Sequence, residues 1–126
     1  MNTTGKRAWI YSRINSPEDQ HGTLKMQEQE LIRYAEQEGY TVAGTSSDLC
    51  SGSDMNRSGL LRMKDAAANG EFDVLLVKSL SRLGRNTKET IDLATRLNDL
   101  DISVMSASDG EISIGDSPQS FLRQTM

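Results

Sequence analysis

Four arginines stand where the chain has the means to hold a phosphate. Arg13 follows the apolar run Ala8-Trp9-Ile10-Tyr11-Ser12, Arg57 closes a Ser/Asp/Gly-rich stretch, and Arg82 and Arg85 lie three apart just before a helical stripe that begins at Asn86. Guanidinium forks match phosphate oxygens in pairs and stay charged at any accessible pH. In a helical segment Arg82 and Arg85 share one face, and the helix start that follows adds main-chain N–H groups favourable to an anion. Taken singly, each arginine has an ordinary account as a solvated group or a carboxylate partner, since 18 acidic residues accompany 14 basic ones. Convergence is what points to chemistry. Open α/β sheets bind ligands beyond the carboxyl ends of their strands, so arginines that follow three different strands meet on one rim. A phosphodiester is the natural occupant.

The elements that must position this rim alternate along the chain. Residues 8–12 suit a short strand, and residues 23–38 place Leu24, Gln27, Leu31, Tyr34 and Ala35 on one helical face with Gly39 as the stop. Tyr40 to Gly44 predicts a second strand, Thr45 to Asn56 a loop, and Leu60, Met63 and Ala67 a second helix ended by Asn69-Gly70. Phe72 to Val77 is nearly continuous apolar, as in a central strand covered on both faces. Thr87, Ile91, Ala94 and Leu97 mark a helix over 86–100, and Ile102 to Met105 a fourth strand. The alternation predicts an α/β fold, a largely parallel central sheet flanked by helices. Ser117-Pro118 then starts a helix barely two turns before Met126, which predicts a chain cut early in a longer helix.

Bulk properties remove several function classes. The 126 residues fit one domain with a single core. No apolar run approaches the ~20 residues of a membrane span, and no apolar segment follows Lys6 and Arg7 to make a signal peptide, so a cytoplasmic protein is expected. The lone Cys50 and lone His21 exclude structural zinc but not a carboxylate-bound magnesium, and no cofactor is implied. Cys50 reads as a small hydrophobe and His21 as a loop residue. Gln27 on an apolar helix face needs a partner in any setting, and Asp48 has an ordinary use in hydrogen-bonding its Ser/Gly-rich surroundings. The net charge of −4 and pI near 4.9 mean that a DNA partner requires concentrated basic groups or a further binding region. A small-molecule phosphate binder ranks last, because no glycine-rich phosphate loop of the usual spacing is present.

Five ordered strings carry a family resemblance: Tyr11-Ser12-Arg13-Ile14-Asn15-Ser16, Leu24-Lys25-Met26-Gln27, Asp48-Leu49-Cys50-Ser51-Gly52, Arg57-Ser58-Gly59-Leu60 and Ser81-Arg82-Leu83-Gly84-Arg85-Asn86. From about Arg7 to Leu122 the chain resembles the catalytic domain of the serine recombinases, the resolvase and invertase family. The resemblance implies site-specific cutting and rejoining of double-stranded DNA through a phosphoserine intermediate. It also implies a homo-oligomer, dimer or tetramer, built on a long helix beginning near Ser117, with DNA-binding regions downstream. By position, Arg13, Arg57, Arg82 and Arg85 correspond to the arginines around the scissile phosphate, and Tyr11, Gln27 and Asp48 to a supporting polar shell. Their physical task is to neutralise a phosphorane as its charge grows.

One departure bears on the chemistry. Where the family pattern has its nucleophilic serine, two residues after the first arginine, this chain has Asn15. An amide has no hydroxyl to deprotonate and forms no phosphoester. Either Asn15 leaves a domain that binds and assembles without cutting, or a one-residue slip lets Ser16 attack. Ser12 is the weakest substitute, because alternation along a strand points it away from Arg13. Ser81 replaces a common aspartate, a lesser change. A non-catalytic assembly or regulatory module with the same fold is the alternative function.

Overall fold

The computed structural model describes residues 6–16, 19, 21–51, 54–55, 57–79, 82–83, 87–108 and 110–112. In chain order the elements are β1 (Arg7–Ile14), α1 (Thr23–Gln37), β2 (Thr41–Ser51), β3 (Asp54–Met55), α2 (Ser58–Ala68), β4 (Val74–Val77), α3 (Thr87–Asp99), β5 (Ser103–Ser106) and β6 (Gly110–Ile112). They form a six-stranded sheet of order β3-β2-β1-β4-β5-β6. The four central strands run parallel, and β3 and β6 pair antiparallel at the edges.

The apolar pattern of each strand explains which helix covers it. Ala8 and Ile10 pack with Leu31 and Ala35 of α1, whereas Trp9 and Tyr11 pack with Leu60 and Met63 of α2 and Ala94 and Leu97 of α3. Strand β4 is buried at all four positions, Val74 and Leu76 facing α1, Leu75 and Val77 facing α2 and α3. Its continuous apolar run is the signature of a strand covered on both sides. The placement of helices follows from the right-handed rule for parallel crossovers. From β1 to β2 the chain moves one way across the sheet, and from β2 past β1 to β4 and β5 it moves the other way. Consequently α1 lies on one face, α2 and α3 on the other, and the switch in direction falls between β1 and β4.

Each helix returns to the sheet by the same turn. Gly39, Gly70 and Asp101 take positive φ of 82°, 69° and 62°, and the next residue's N–H reaches back to the carbonyl of Ala35, Ala66 or Leu97. These bonds satisfy carbonyls the helix leaves open, and glycine is favoured at the left-handed position because it lacks a Cβ.

Three sequence expectations need correction. The stretch Thr45 to Ser51, expected as loop, continues β2, because β1 pairs with it as far as Ile14 opposite Leu49. Arg13, expected just after its strand, lies inside β1 opposite Asp48 for the same reason. The strand after α3 begins at Ser103 instead of Ile102. The helix expected from Ser117 lies outside the described residues, as do Arg85 and Ser81. No helix among the described residues is long and apolar enough to cross a membrane.

Candidate phosphate site at the carboxyl rim

The carboxyl end of β1 is gripped from both faces of the sheet. On the α1 side, the Arg13 main-chain N–H donates to Gln27 Oε1 at 3.1 Å, and Gln27 Nε2 donates back to the Arg13 carbonyl at 3.3 Å. This reciprocal amide pair makes the two bonds a neighbouring strand would otherwise make, where β4 pairs with β1 only as far as Ile10. Gln27 is thus the satisfied core amide its position demanded. The Arg13 side chain itself is only 6% exposed. By alternation it shares the face of Trp9 and Tyr11, while Ser12 falls on the face of Ala8 and Ile10. Ser12 Oγ is buried and makes no hydrogen bond among the described residues.

On the opposite face, Asp48 does the work of a helix cap from a distance. The Tyr11 hydroxyl donates to Asp48 Oδ2 at 2.6 Å, and the same carboxylate accepts the N–H groups of Gly59 at 2.7 Å and Leu60 at 2.9 Å. Those amides belong to the first turn of α2, whose own cap residue, Arg57, makes no side-chain cap bond. A carboxylate at this point satisfies open donors and complements the positive end of the helix dipole. Gly59 permits the approach, since a Cβ there would come within 2.3 Å of the Ser47 carbonyl oxygen. Ser46 adds a second tie by accepting from Trp9 Nε1 and donating to the Gly59 carbonyl. Helix α1 is held in the same manner by Asp19, whose carboxylate accepts from Leu24 and Lys25.

Three of the four sequence-marked arginines fall among the described residues, Arg13 near the carboxyl end of β1, Arg57 directly before α2 and Arg82 in the turn after β4. Arg13 stands opposite Asp48 in the sheet; Asp48 holds the turn of α2 that follows Arg57; and Arg57 lines a groove of about 210 Å³ together with Leu83, the residue after Arg82. Arg57 Nη2 donates to Glu89 Oε1 at 3.2 Å, joining the start of α2 to the first turn of α3. Arg82 is half-buried in the turn after β4, and its Nε is buried without a hydrogen-bond partner among the described residues. Asn15 is exposed and Ser16 half-buried, both in the bend directly after β1. Guanidinium groups at such a strand end are chemically able to bind an oxyanion and to stabilise charge developing on it. Among the described residues no three His, Cys, Asp or Glu side chains cluster as metal ligands.

Sequence reasoning missed Glu89, Ser46 and Asp19, and gave Gly59 no role beyond its place in a motif. Glu89 carried one signal, an acid in the first turn of the helix that follows the Arg82 segment. For Ser46 and Gly59 the partner lies across the fold, beyond the reach of local patterns.

Comparison with known proteins gives a consistent picture. A family model described as the resolvase N-terminal domain matches residues 8–126. A resolvase/recombinase of Pseudomonas putida is 31% identical over 104 residues, which cover 82% of this chain and 52% of that protein. The transposon Tn3 resolvase of Escherichia coli is 34% identical over 115 residues, 90% of this chain and 56% of that one. The chain thus spans about half the length of the curated relatives it matches. Among solved structures, the N-terminal catalytic domain of TP901-1 integrase superposes with a TM-score of 0.73 at 25% identity, covering 95% of this chain and 89% of that one.

Proposed function

The chain belongs to the resolvase N-terminal-domain family, and from that premise we propose that its carboxyl rim holds a DNA phosphodiester during site-specific recombination. The observation that carries the reading is the tie that Asp48 makes between Arg13, its partner in the sheet, and the start of α2 directly after Arg57, with Tyr11 and Gln27 holding the same strand end. Arg85, outside the described residues, is assigned to the same pocket by its place in the motif. The guanidiniums neutralise the phosphorane, and the buried Nε of Arg82 gains an oxygen acceptor there. Gln27 and Asp48 act indirectly, fixing the main chain of Arg13 and the start of α2.

At the attacking position the exposed Asn15 offers no nucleophile. In the family's chemistry a serine oxygen bonds to phosphorus, the deoxyribose oxygen leaves with a proton, and rejoining reverses the step. With Asn15 this chain binds and assembles on DNA without cutting. The partners are double-stranded DNA and further copies of the same protein, as dimer or tetramer, in the cytoplasm. Ser16, half-buried in the same bend, is the second reading for the nucleophile.

The test uses the whole gene product and a duplex carrying its site, with covalent protein–DNA adducts trapped and counted. Asn15→Ser is expected to form adduct where the parent forms none, a gain of at least about a hundredfold. Adduct formed by the parent and lost in Ser16→Ala would overturn the first reading and establish the second. Failure of Asn15→Ser to react would favour the non-catalytic assembly module.

A further inference from the structure

We propose that Glu89 is the positioning residue for Arg57, an inference that rests on reading Arg57 as a phosphate ligand. The main chain at Arg57 is already fixed: its carbonyl accepts the Leu61 N–H, and Asp48 grips the next two amides after Ser58. Only the long side chain is left to be ordered, and Glu89 orders it. The contact is a single Nη2···Oε1 bond of 3.2 Å between side chains about 29% and 31% exposed. A guanidinium has five N–H donors in a planar fork, so one bond to a carboxylate restrains its reach and leaves donors for a second acceptor. A bidentate clamp would instead have consumed the edge that a phosphate uses.

The location of Glu89 supports the assignment. It sits in the first turn of α3, where its negative charge suits the helix dipole, and that helix follows directly on the Arg82–Arg85 segment. The ion pair therefore ties the arginine carried by α2 to the one element that continues from the other two. Neighbouring Asp92 is engaged elsewhere, accepting from Lys88 at 3.1 Å, and serves as a control in the same groove.

Two measurements test this. In the 126-residue chain with ¹⁵N-labelled arginine, the Nε–H order parameter of Arg57 is expected to fall below about 0.6 in Glu89→Gln, the range of flexible groups, and to stay unchanged in Asp92→Asn. An Arg57 signal that stays ordered in Glu89→Gln overturns the proposal, whether or not the protein cuts DNA. In the Asn15→Ser gene product, Glu89→Gln is expected to lower the adduct-forming rate at saturating duplex about tenfold. The half-saturating duplex concentration should stay the same, and Glu89→Asp should recover part of the rate. An unchanged or faster rate in Glu89→Gln overturns the proposal, a faster one showing that Glu89 competes with the phosphate. Arg57→Ala separates the two readings: if it leaves adduct formation intact, the phosphate pocket fails. If it abolishes adduct while Glu89→Gln does nothing, the pocket stands and only the role of Glu89 falls.

Discussion

Strand β1 carries an arginine at each end, and the fold treats them in opposite ways. At the amino end, Arg7 meets Asp73 through two side-chain bonds of 3.2 and 3.0 Å, with a third from its main-chain N–H, and its side chain remains 46% exposed. At the carboxyl end, Arg13 is only 6% exposed and its main chain is clasped by Gln27. Arg82, on the neighbouring turn, keeps a buried Nε without a hydrogen bond among the described residues. The amino end is built as a protein builds for solubility, with charges paired where water also screens them. The carboxyl end instead buries Arg13 and the Nε of Arg82, and taking a cation out of water is costly for folding.

The contrast can be broken most severely at Asp48. Asp48→Ala removes one acceptor from three buried donors, the Tyr11 hydroxyl and the amides of Gly59 and Leu60. Unsatisfied buried donors cost ~1–3 kcal/mol each, without simple additivity, so a loss of about 4 kcal/mol is expected by urea denaturation. A loss below about 1 kcal/mol would mean that the rim scaffold is not held as described.

A smaller effect of opposite sign sharpens the comparison. Arg82→Met keeps the aliphatic volume and removes a buried N–H that lacks a partner, so it should stabilise the chain by about 1 kcal/mol. The same denaturation curve reads it. Destabilisation would show that Arg82 serves the fold.

The least effect is expected at the amino end. Hydrogen bonding from Arg7, first from its side chain and then from its main chain, holds the Asp73 carboxyl below the usual carboxylate range. A depressed acid contributes stability above its unfolded pKa and loses it as pH falls through the folded value. Asp73→Asn should therefore lower Tm slightly at neutral pH, and the gap from the parent should close in acid, as pH falls below the usual carboxylate range. A gap that widened in acid would reverse the sign of this argument.

Much of this architecture was legible in the sequence because it rests on local signals. Val74 to Val77 announces a doubly covered strand by its composition, and Gly39 and Gly70 announce helix ends by their freedom to take positive φ. The grouping of the arginines is an expectation that rests on the convergence of strand ends in α/β sheets. The continuation of β2 was not, since Ser46, Ser47 and Asp48 have loop composition. They form strand because the inward-facing Ser46 and Asp48 find donors and acceptors on Trp9, Tyr11 and α2, partners that no window along the chain contains. Glu89 was hidden for the same reason, its partner lying 32 residues away, directly before another helix.

The hydroxyl of Ser46 links two things that are seldom linked by a single atom. It accepts from the indole of Trp9 at 2.9 Å and donates to the Gly59 carbonyl at 2.8 Å. Trp9 is the one tryptophan in the chain, so its emission belongs to a single chromophore whose hydrogen bond reports on the docking of α2. The protein thus carries an intrinsic optical gauge of the rim, readable without any label whenever that helix start shifts.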